Sequence, residues 1–304
     1  VRLPDYDSPS SLKAYLDNRG MAMQKKFGQN FLVNPRARAK IADGSAVSEG
    51  MKVWEIGPGL GALTAELLKR GAIMTVFEID RGFILALEDI FSDEIQNGRL
   101  KIVAGDVLKT WKEEYKRSGI PDRLCGNLPY NIAAKIIADT VSETVRFERC
   151  VFTVQKEVAR RMAAKCGSAD YSSFSVLCRW AYDIQPLMDL AGGSFWPRPN
   201  VDSQAVVCTK KADFPGCKNP AEFLKLQRSL FSSRRKTVKN NLTALYGNTP
   251  AKTACATAEA VLKDAGIDPQ SRAEDLSIEQ ICLLADASYE RGAGAKPLNR
   301  HTKI

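Results

Sequence analysis

Two hydrophobic periods alternate along the chain. The runs at 53–56, 73–77, 100–103, 123–125 and 151–154 are short, apolar and of strand length. The segments at 61–70, 81–91, 133–145 and 155–165 repeat apolar residues at helical spacing and so predict helices. This order implies right-handed crossovers and a mostly parallel sheet with helices on both faces, an α/β fold. Two further runs, 181–187 and 203–209, flank Gly192-Gly193 and suit an antiparallel pair at one sheet edge. Upstream, a loose leader precedes a short helix. Ser10 and Ser11 are its candidate caps, Leu12, Tyr15 and Leu16 its apolar face, and Gly20 its stop. A basic, aromatic loop from Lys25 to Leu32 comes next, then a helix at 35–46 with Pro35 in its first turn.

After Lys211 the pattern becomes helical only, with helices at 221–231, 235–246, 254–265 and 278–289 behind a linker that contains Pro215, Gly216 and Pro220. The expected organisation is an extension at 1–24, an α/β domain at 25–212, a smaller all-α domain at 213–290 and a flexible tail at 291–304.

Composition narrows the chemistry. With 304 residues, 26% charged and 44% hydrophobic, the chain is neither disordered nor collagen-like. Charge interrupts every apolar run before the ~18 residues of a membrane span, and the start shows no signal-peptide pattern. The expectation is a cytoplasmic protein with no membrane partner. Its eight cysteines form no Cys-x-x-Cys pair, so neither a zinc ribbon nor a disulfide framework is indicated. The single histidine, His301, lies in the tail, which removes Ser-His-Asp triads, Cys-His pairs, imidazole bases and His-based metal sites. No metal is expected. Net charge is +9, and residues 205–304 carry 16 Lys and Arg against 10 Asp and Glu. Solvated helix faces and a nucleic-acid surface both fit that excess.

Glu55-Ile56-Gly57-Pro58-Gly59-Leu60-Gly61 follows the first strand of the alternating region and opens a helix. An α/β sheet presents backbone N–H groups to a ligand at such a turn. Glu78 ends the next strand and Asp106 follows the third, so three strand ends line one crevice. A carboxylate at the second can accept both hydroxyls of a ribose, and one at the third the exocyclic amine of adenine. The spacing from Gly57 to Glu78 suits a dinucleotide as well, but Pro58 inside the turn is awkward for cradling a pyrophosphate. A nucleoside with a cationic sulfonium and an amino-acid tail needs acceptors, which Glu55, Glu78 and Asp106 supply.

Asn127-Leu128-Pro129-Tyr130 ends the fourth strand. An adenine amine is a poor nucleophile because its lone pair is delocalised into the ring. The Asn127 oxygen and the Leu128 carbonyl can accept its two N–H bonds, favouring a pyramidal nitrogen. Tyr130 offers a face for a splayed-out base, and Phe195 of the aromatic loop 195–203 offers the opposite face. A tight turn capped by Asn127, and aromatics that staple edge strands, are the structural alternatives.

Taken together, several segments closely resemble the bacterial small-subunit (16S) rRNA adenine-N6,N6-dimethyltransferases, the kasugamycin-sensitivity family. They are 27–32, 55–59, 127–130, Gln155-Lys156-Glu157-Val158-Ala159, Phe-x-Pro-x-Pro-x-Val-Asp-Ser at 195–203, and Arg234-Arg235-Lys236-Thr237. The resemblance runs from about Lys25 to Ala287. It implies a Rossmann-like class I methyltransferase sheet and S-adenosyl-L-methionine as methyl donor. The implied acceptors are two adjacent adenosines in the 3′-terminal hairpin of small-subunit rRNA, dimethylated on immature 30S subunits. Implied cofactor contacts are Asn30, Leu32, Gly57, Glu78, Asp106 and Asn127, with the loop at 27–32 closing over the cofactor. Catalytic candidates are Asn127, Leu128, Tyr130 and Phe195. Lys25 and Lys26 are RNA-binding candidates, as are Arg234, Arg235, Lys236 and Lys239, where Arg235 and Lys239 share a face of the expected helix. Trp196 and Arg198 occupy variable positions of the aromatic loop, and the tail after Glu290 lies outside the resemblance. A monomer is expected. Other readings are a resistance-type large-subunit rRNA methylase, a non-catalytic RNA-binding assembly factor and a nucleotide-dependent oxidoreductase.

Overall fold

The computed structural model describes residues 4–21, 30–128 and 130–292. Helix α1 (Pro9–Asn18) is capped by Ser8, whose side chain accepts from the Ser11 N–H. This corrects the expected caps at Ser10 and Ser11. Pro9 has no N–H and a φ already set for the first helical position, so the cap falls one residue before it. Strand β1 (Phe31–Leu32) leads into α2 (Pro35–Gly44), capped by Asn34. The alternating region follows as β2 (Lys52–Ile56), α3 (Ala62–Lys69), β3 (Ile73–Glu78), α4 (Arg81–Ile90), α5 (Ser92–Gln96), β4 (Leu100–Ala104), α6 (Val107–Ser118), β5 (Arg123–Asn127), α7 (Tyr130–Ser142), β6 (Arg149–Gln155) and α8 (Lys156–Ala163). Then come α9 (Ser173–Ala181), β7 (Tyr182–Leu190), β8 (Phe195–Trp196) and β9 (Ser203–Lys210).

The local pattern does not predict helices α6 and α9. Helix α6 buries Val107, Trp111 and Glu114 at helical spacing, but the third is a charged residue, which hides the apolar stripe. Helix α9 is nine residues long and almost wholly buried, so its apolar run has no polar face to reveal a helix.

The main sheet has the order β4-β3-β2-β5-β6-β9-β7. Strands β2 to β6 pair in parallel, and β9 pairs antiparallel with β6. As expected, the runs near 181–187 and 203–209 are neighbours at one edge, as β7 and β9. From β2 the chain steps outward to β3 and β4, then returns to the other side of β2 as β5 and β6. With right-handed crossovers this reversal puts helices on both faces and opens a crevice at the carboxyl ends of β2 and β5. Val53, Val76, Leu67, Leu87 and Val151 are fully buried in the core of this sheet. Strand β1 pairs with β8 in a separate two-stranded ladder, Leu32 opposite Phe195 and Phe31 opposite Trp196.

The chain divides into two compact units, the first holding the described residues to Thr140 with Val145–Ala159 and Asp183–Lys210. The second holds Val141–Thr144, Arg160–Tyr182 and the described residues from Lys211 on. A division near 213 alone would leave 160–182 with the sheet. They join the helical unit because α9 packs there: Trp180 stacks on Phe223 with centroids 4.1 Å apart and meets Phe214 at 4.5 Å. Tyr171 donates to the Leu276 carbonyl at 3.0 Å.

The rest of this unit is α10 (Pro220–Leu230), α11 (Val238–Leu245), α12 (Ala251–Asp264) and α13 (Ile278–Glu290). Helix α11 starts three residues later than expected. Thr237 caps it, accepting from the Asn240 N–H, and Val238 N–H donates to Ser271 O at 2.8 Å. Arg235 and Lys236 therefore precede the helix and share no helical face with Lys239, which overturns that expectation. Among the described residues no helix is long and apolar enough to cross a membrane.

Candidate active site

The turn after β2 brings backbone close to a neighbouring wall. Gly59 has φ +59°, and a Cβ there would lie 3.2 Å from the Phe31 ring. Gly61 has φ +83°, and a Cβ there would come within 2.3 Å of Phe91. Only glycine meets both demands. Gly61 also begins α3 without any side-chain cap, which leaves that helix's first N–H groups to other partners.

A cavity of about 330 Å³ opens beside this turn. All six residues expected to contact a cofactor line it: Asn30, Leu32, Gly57, Glu78, Asp106 and Asn127. They come from β1, the ends of β2, β3, β4 and β5 and the residues just beyond, which the order reversal gathers at one edge. Apolar walls come from Ile56, Phe77, Ile79 and Val107. Phe31, within the loop at 27–32 that the resemblance places over the cofactor, is also a wall residue. Its ring meets Phe83 edge-on at 5.7 Å and stacks on Trp196 at 6.0 Å, and no local period signals those contacts.

The carboxylates differ in surroundings. Glu78 Oε1 accepts from the N–H groups of Ile79 (2.8 Å) and Asp80 (2.9 Å), and Oε2 accepts from Gly59 (3.3 Å). Burial still holds its pKa above the ordinary carboxylate value, because desolvation outweighs those hydrogen bonds. Glu55 is 2% exposed and accepts from Thr64 Oγ1 at 2.6 Å. Burial pushes its pKa up to about 7, opposed by the Thr64 hydrogen bond and assisted by the nearby Glu78 charge. Asp106 caps α6, accepting from Leu108 N–H at 3.0 Å through Oδ1.

Asn127 sits at the rim. Its Nδ2 donates to the Asn30 carbonyl at 2.7 Å, tying the end of β5 to the segment that enters β1. Because the partner is a carbonyl, the amide orientation is determined and Oδ1 is its acceptor.

Not every expected residue gathers here. Leu128 is buried next to Asn127 and gives its N–H to Thr153 O at 3.3 Å, but it does not line the cavity. Phe195 is 5% exposed and packs in the core, which corrects its expected role as an accessible stacking face. In the β1–β8 ladder successive side chains alternate, so Phe195 points inward and Trp196 takes the half-buried position. The Tyr130 side chain, Pro129, Lys25, Lys26 and the rest of the loop to Gln29 lie outside the described residues. Among the described residues no cluster of three or more His, Cys, Asp and Glu side chains is placed to hold a metal ion.

In the helical unit, Arg234 pairs with Glu274 at 2.9 Å and Lys239 with Glu259 at 2.5 Å. Arg235 and Lys236 are exposed and make no ion pair among the described residues.

A family profile described as ribosomal RNA adenine dimethylase matches residues 20–288. The chain belongs to this family. A ribosomal RNA small subunit methyltransferase A from Treponema pallidum (strain Nichols) is 44% identical over 283 residues, covering 93% of this chain and 97% of the relative. The protein of the same name from Treponema denticola is 42% identical over 288 residues, covering 93% and 95%. Among solved structures, a dimethyladenosine transferase from Plasmodium falciparum superposes with a TM-score of 0.72 at 26% identity, covering 85% of this chain and 97% of that one. The 23S rRNA methyltransferase ErmE shares the fold, with a TM-score of 0.60 at 22% identity over 84% of this chain and 98% of that one. This adenine dimethylase therefore has a class I methyltransferase sheet, with its cavity at the order reversal.

Proposed function

We propose that this dimethylase transfers methyl groups from S-adenosyl-L-methionine to N6 of two adjacent adenosines in the 3′-terminal hairpin loop of small-subunit rRNA, on immature 30S subunits. The observation that carries the reading is the convergence of Asn127 with Glu55, Glu78 and Asp106 on one cavity in a member of this family.

The cavity suits the methyl donor chemically. A ribose diol needs a carboxylate acceptor, a flat adenine needs apolar walls with an acceptor at one edge, and a cationic tail needs negative charge without a competing cation. Glu78 meets the first need and the walls with Asp106 the second; Glu55, whose pKa of about 7 leaves it only partly ionised at neutral pH, offers the tail an acceptor that gains charge when a cation sits beside it. When bound, the donor supplies an electrophilic methyl group.

The remaining steps belong to the chain. Asn127 Oδ1 and the Leu128 carbonyl accept the N–H bonds of the target amine, two before the first transfer and one before the second, which localises its lone pair; as the nitrogen takes each methyl group from sulfur, a neutral thioether is left and one N–H proton passes to solvent. Tyr130 holds the extruded base by stacking. Arg235 and Lys236, with Lys25 and Lys26, contact phosphates; Arg234 and Lys239 join them at small cost, since solvent screens their ion pairs with Glu274 and Glu259. Primer-extension mapping on methylation-deficient small subunits, incubated with the protein and the methyl donor, tests the proposal. Stops at the two adjacent adenosines are expected, and stops only in large-subunit rRNA would overturn it.

A further inference from the structure

The family profile begins at residue 20, yet residues well before it reach the cavity wall. Arg38, near the start of α2, is only 5% exposed, and a buried guanidinium without partners is strongly destabilising. Three acceptors meet it, the Tyr6 carbonyl at 3.5 Å from Nη1 among them. Its Nη1 donates to the Leu32 carbonyl at 2.9 Å, and its Nη2 pairs with the carboxylate of Asp7. Beside Asp7, the Tyr6 ring lies 5.8 Å from the Arg38 guanidinium carbon, and the Tyr6 hydroxyl donates to the Leu60 carbonyl at 2.8 Å.

The targets of these bonds matter. Leu32 lines the cavity, and Leu60 lies between Gly59 and Gly61 in the turn that forms another of its walls. Burial raises the Tyr6 pKa far above that of a free phenol, so the hydroxyl keeps its proton and remains a donor at any physiological pH. The segment is itself held in place: Leu12 and Leu16 of α1 belong to the hydrophobic core, and Arg19 pairs with Asp89 at 2.5 Å.

We propose that Tyr6, Asp7 and Arg38 are positioning residues of the cofactor cavity, setting the spacing between the Leu32 segment and the glycine turn. The chain before residue 20 is then part of the site and not a passive leader. This rests on the reading of the cavity as the methyl-donor site, so its test has one arm that needs no ligand.

In full-length protein, Tyr6→Phe removes the hydroxyl alone, Asp7→Asn removes the charge, and Asp7→Glu restores it. The first measurement is amide hydrogen exchange of the ligand-free protein. Tyr6→Phe should speed exchange several-fold at residues 57–61 with the melting temperature unchanged, and Asp7→Asn at 30–33 with a melting temperature lowered by the loss of Arg38's charge partner. The second is steady-state kinetics, where KM for S-adenosylmethionine should rise about five-fold, the loss of roughly one hydrogen bond. Turnover at saturation and KM for the RNA should hold, and Asp7→Glu should recover the parental KM. Parental exchange and KM in both variants would overturn the proposal. So would a joint fall of melting temperature, turnover and affinity for both substrates, which marks general destabilisation. If the parent fails to bind S-adenosylmethionine, the proposed function falls, and the exchange arm still decides whether these residues hold the cavity wall.

Discussion

The side-chain amide of Asn127 donates to the backbone carbonyl of Asn30 at 2.7 Å, joining residues 97 positions apart. One bond thus performs two tasks: it holds the β1 segment against the cavity and fixes which Asn127 atom is the acceptor, the one that the proposed function assigns to a target amine. Asn127→Ala should lower the single-turnover methylation rate about 100-fold or more, the scale seen when a positioned polar group at a reacting centre is removed. Cofactor affinity should fall by less, on the order of ten-fold, because the Asn30 segment loosens. Rapid-quench methylation beside calorimetry separates the two, and a parental rate would remove Asn127 from the chemistry.

Glu55 makes stability depend on pH in a defined direction. Its folded pKa, about 7, lies above the ordinary value of 4.5, so the folded state holds a proton that the unfolded chain has released between those values. Stability is therefore fully present below about pH 4.5, falls as pH rises toward 7, and levels off above it, by roughly 3 kcal/mol at most. Glu55→Gln keeps an acceptor for Thr64 and removes the titration. Urea melts from pH 5 to 8 should slope downward for the parent relative to the variant; identical slopes would show that Glu55 does not titrate there.

Glu78 bears three backbone N–H groups on its two oxygens, and its carboxylate faces the cavity. In Glu78→Gln one oxygen becomes an NH2 group directed at an N–H donor, and the charge that would meet a ribose diol is lost. Affinity for S-adenosylmethionine should weaken by about 2 kcal/mol, roughly thirty-fold. Calorimetry checks this, and an unchanged dissociation constant would reassign the ribose contact.

The basic turn before α11 can be separated from the helix behind it. Neutralising Arg235 and Lys236 should weaken binding to undermethylated small subunits and flatten the salt dependence by roughly one unit of slope for each phosphate that is no longer neutralised. Lys239→Gln should do less, since Lys239 is engaged with Glu259. Cofactor affinity should not change in either. Log-log binding lines that coincide with the parent's would exclude Arg235 and Lys236 from the RNA surface.

Much of the architecture was legible in local pattern. Strands stand out as short apolar runs and most helices show a period, and the ends of parallel strands fall at one sheet edge by topology, which places Gly57, Glu78, Asp106 and Asn127 together. What the tertiary structure decided depends in each case on a partner far along the chain. Phe195 is buried because Leu32 stands opposite it in a ladder that joins distant segments. Helix α11 begins at Val238 because Thr237 caps it and Ser271 takes the Val238 N–H. Residues 160–182 join the helical unit because Trp180 finds Phe223. Tyr6 reaches the glycine turn because Leu12 and Leu16 are drawn into the core. Periodicity records which face of an element is apolar, but not which distant surface covers it, and burial, cap position and side-chain direction follow from that surface.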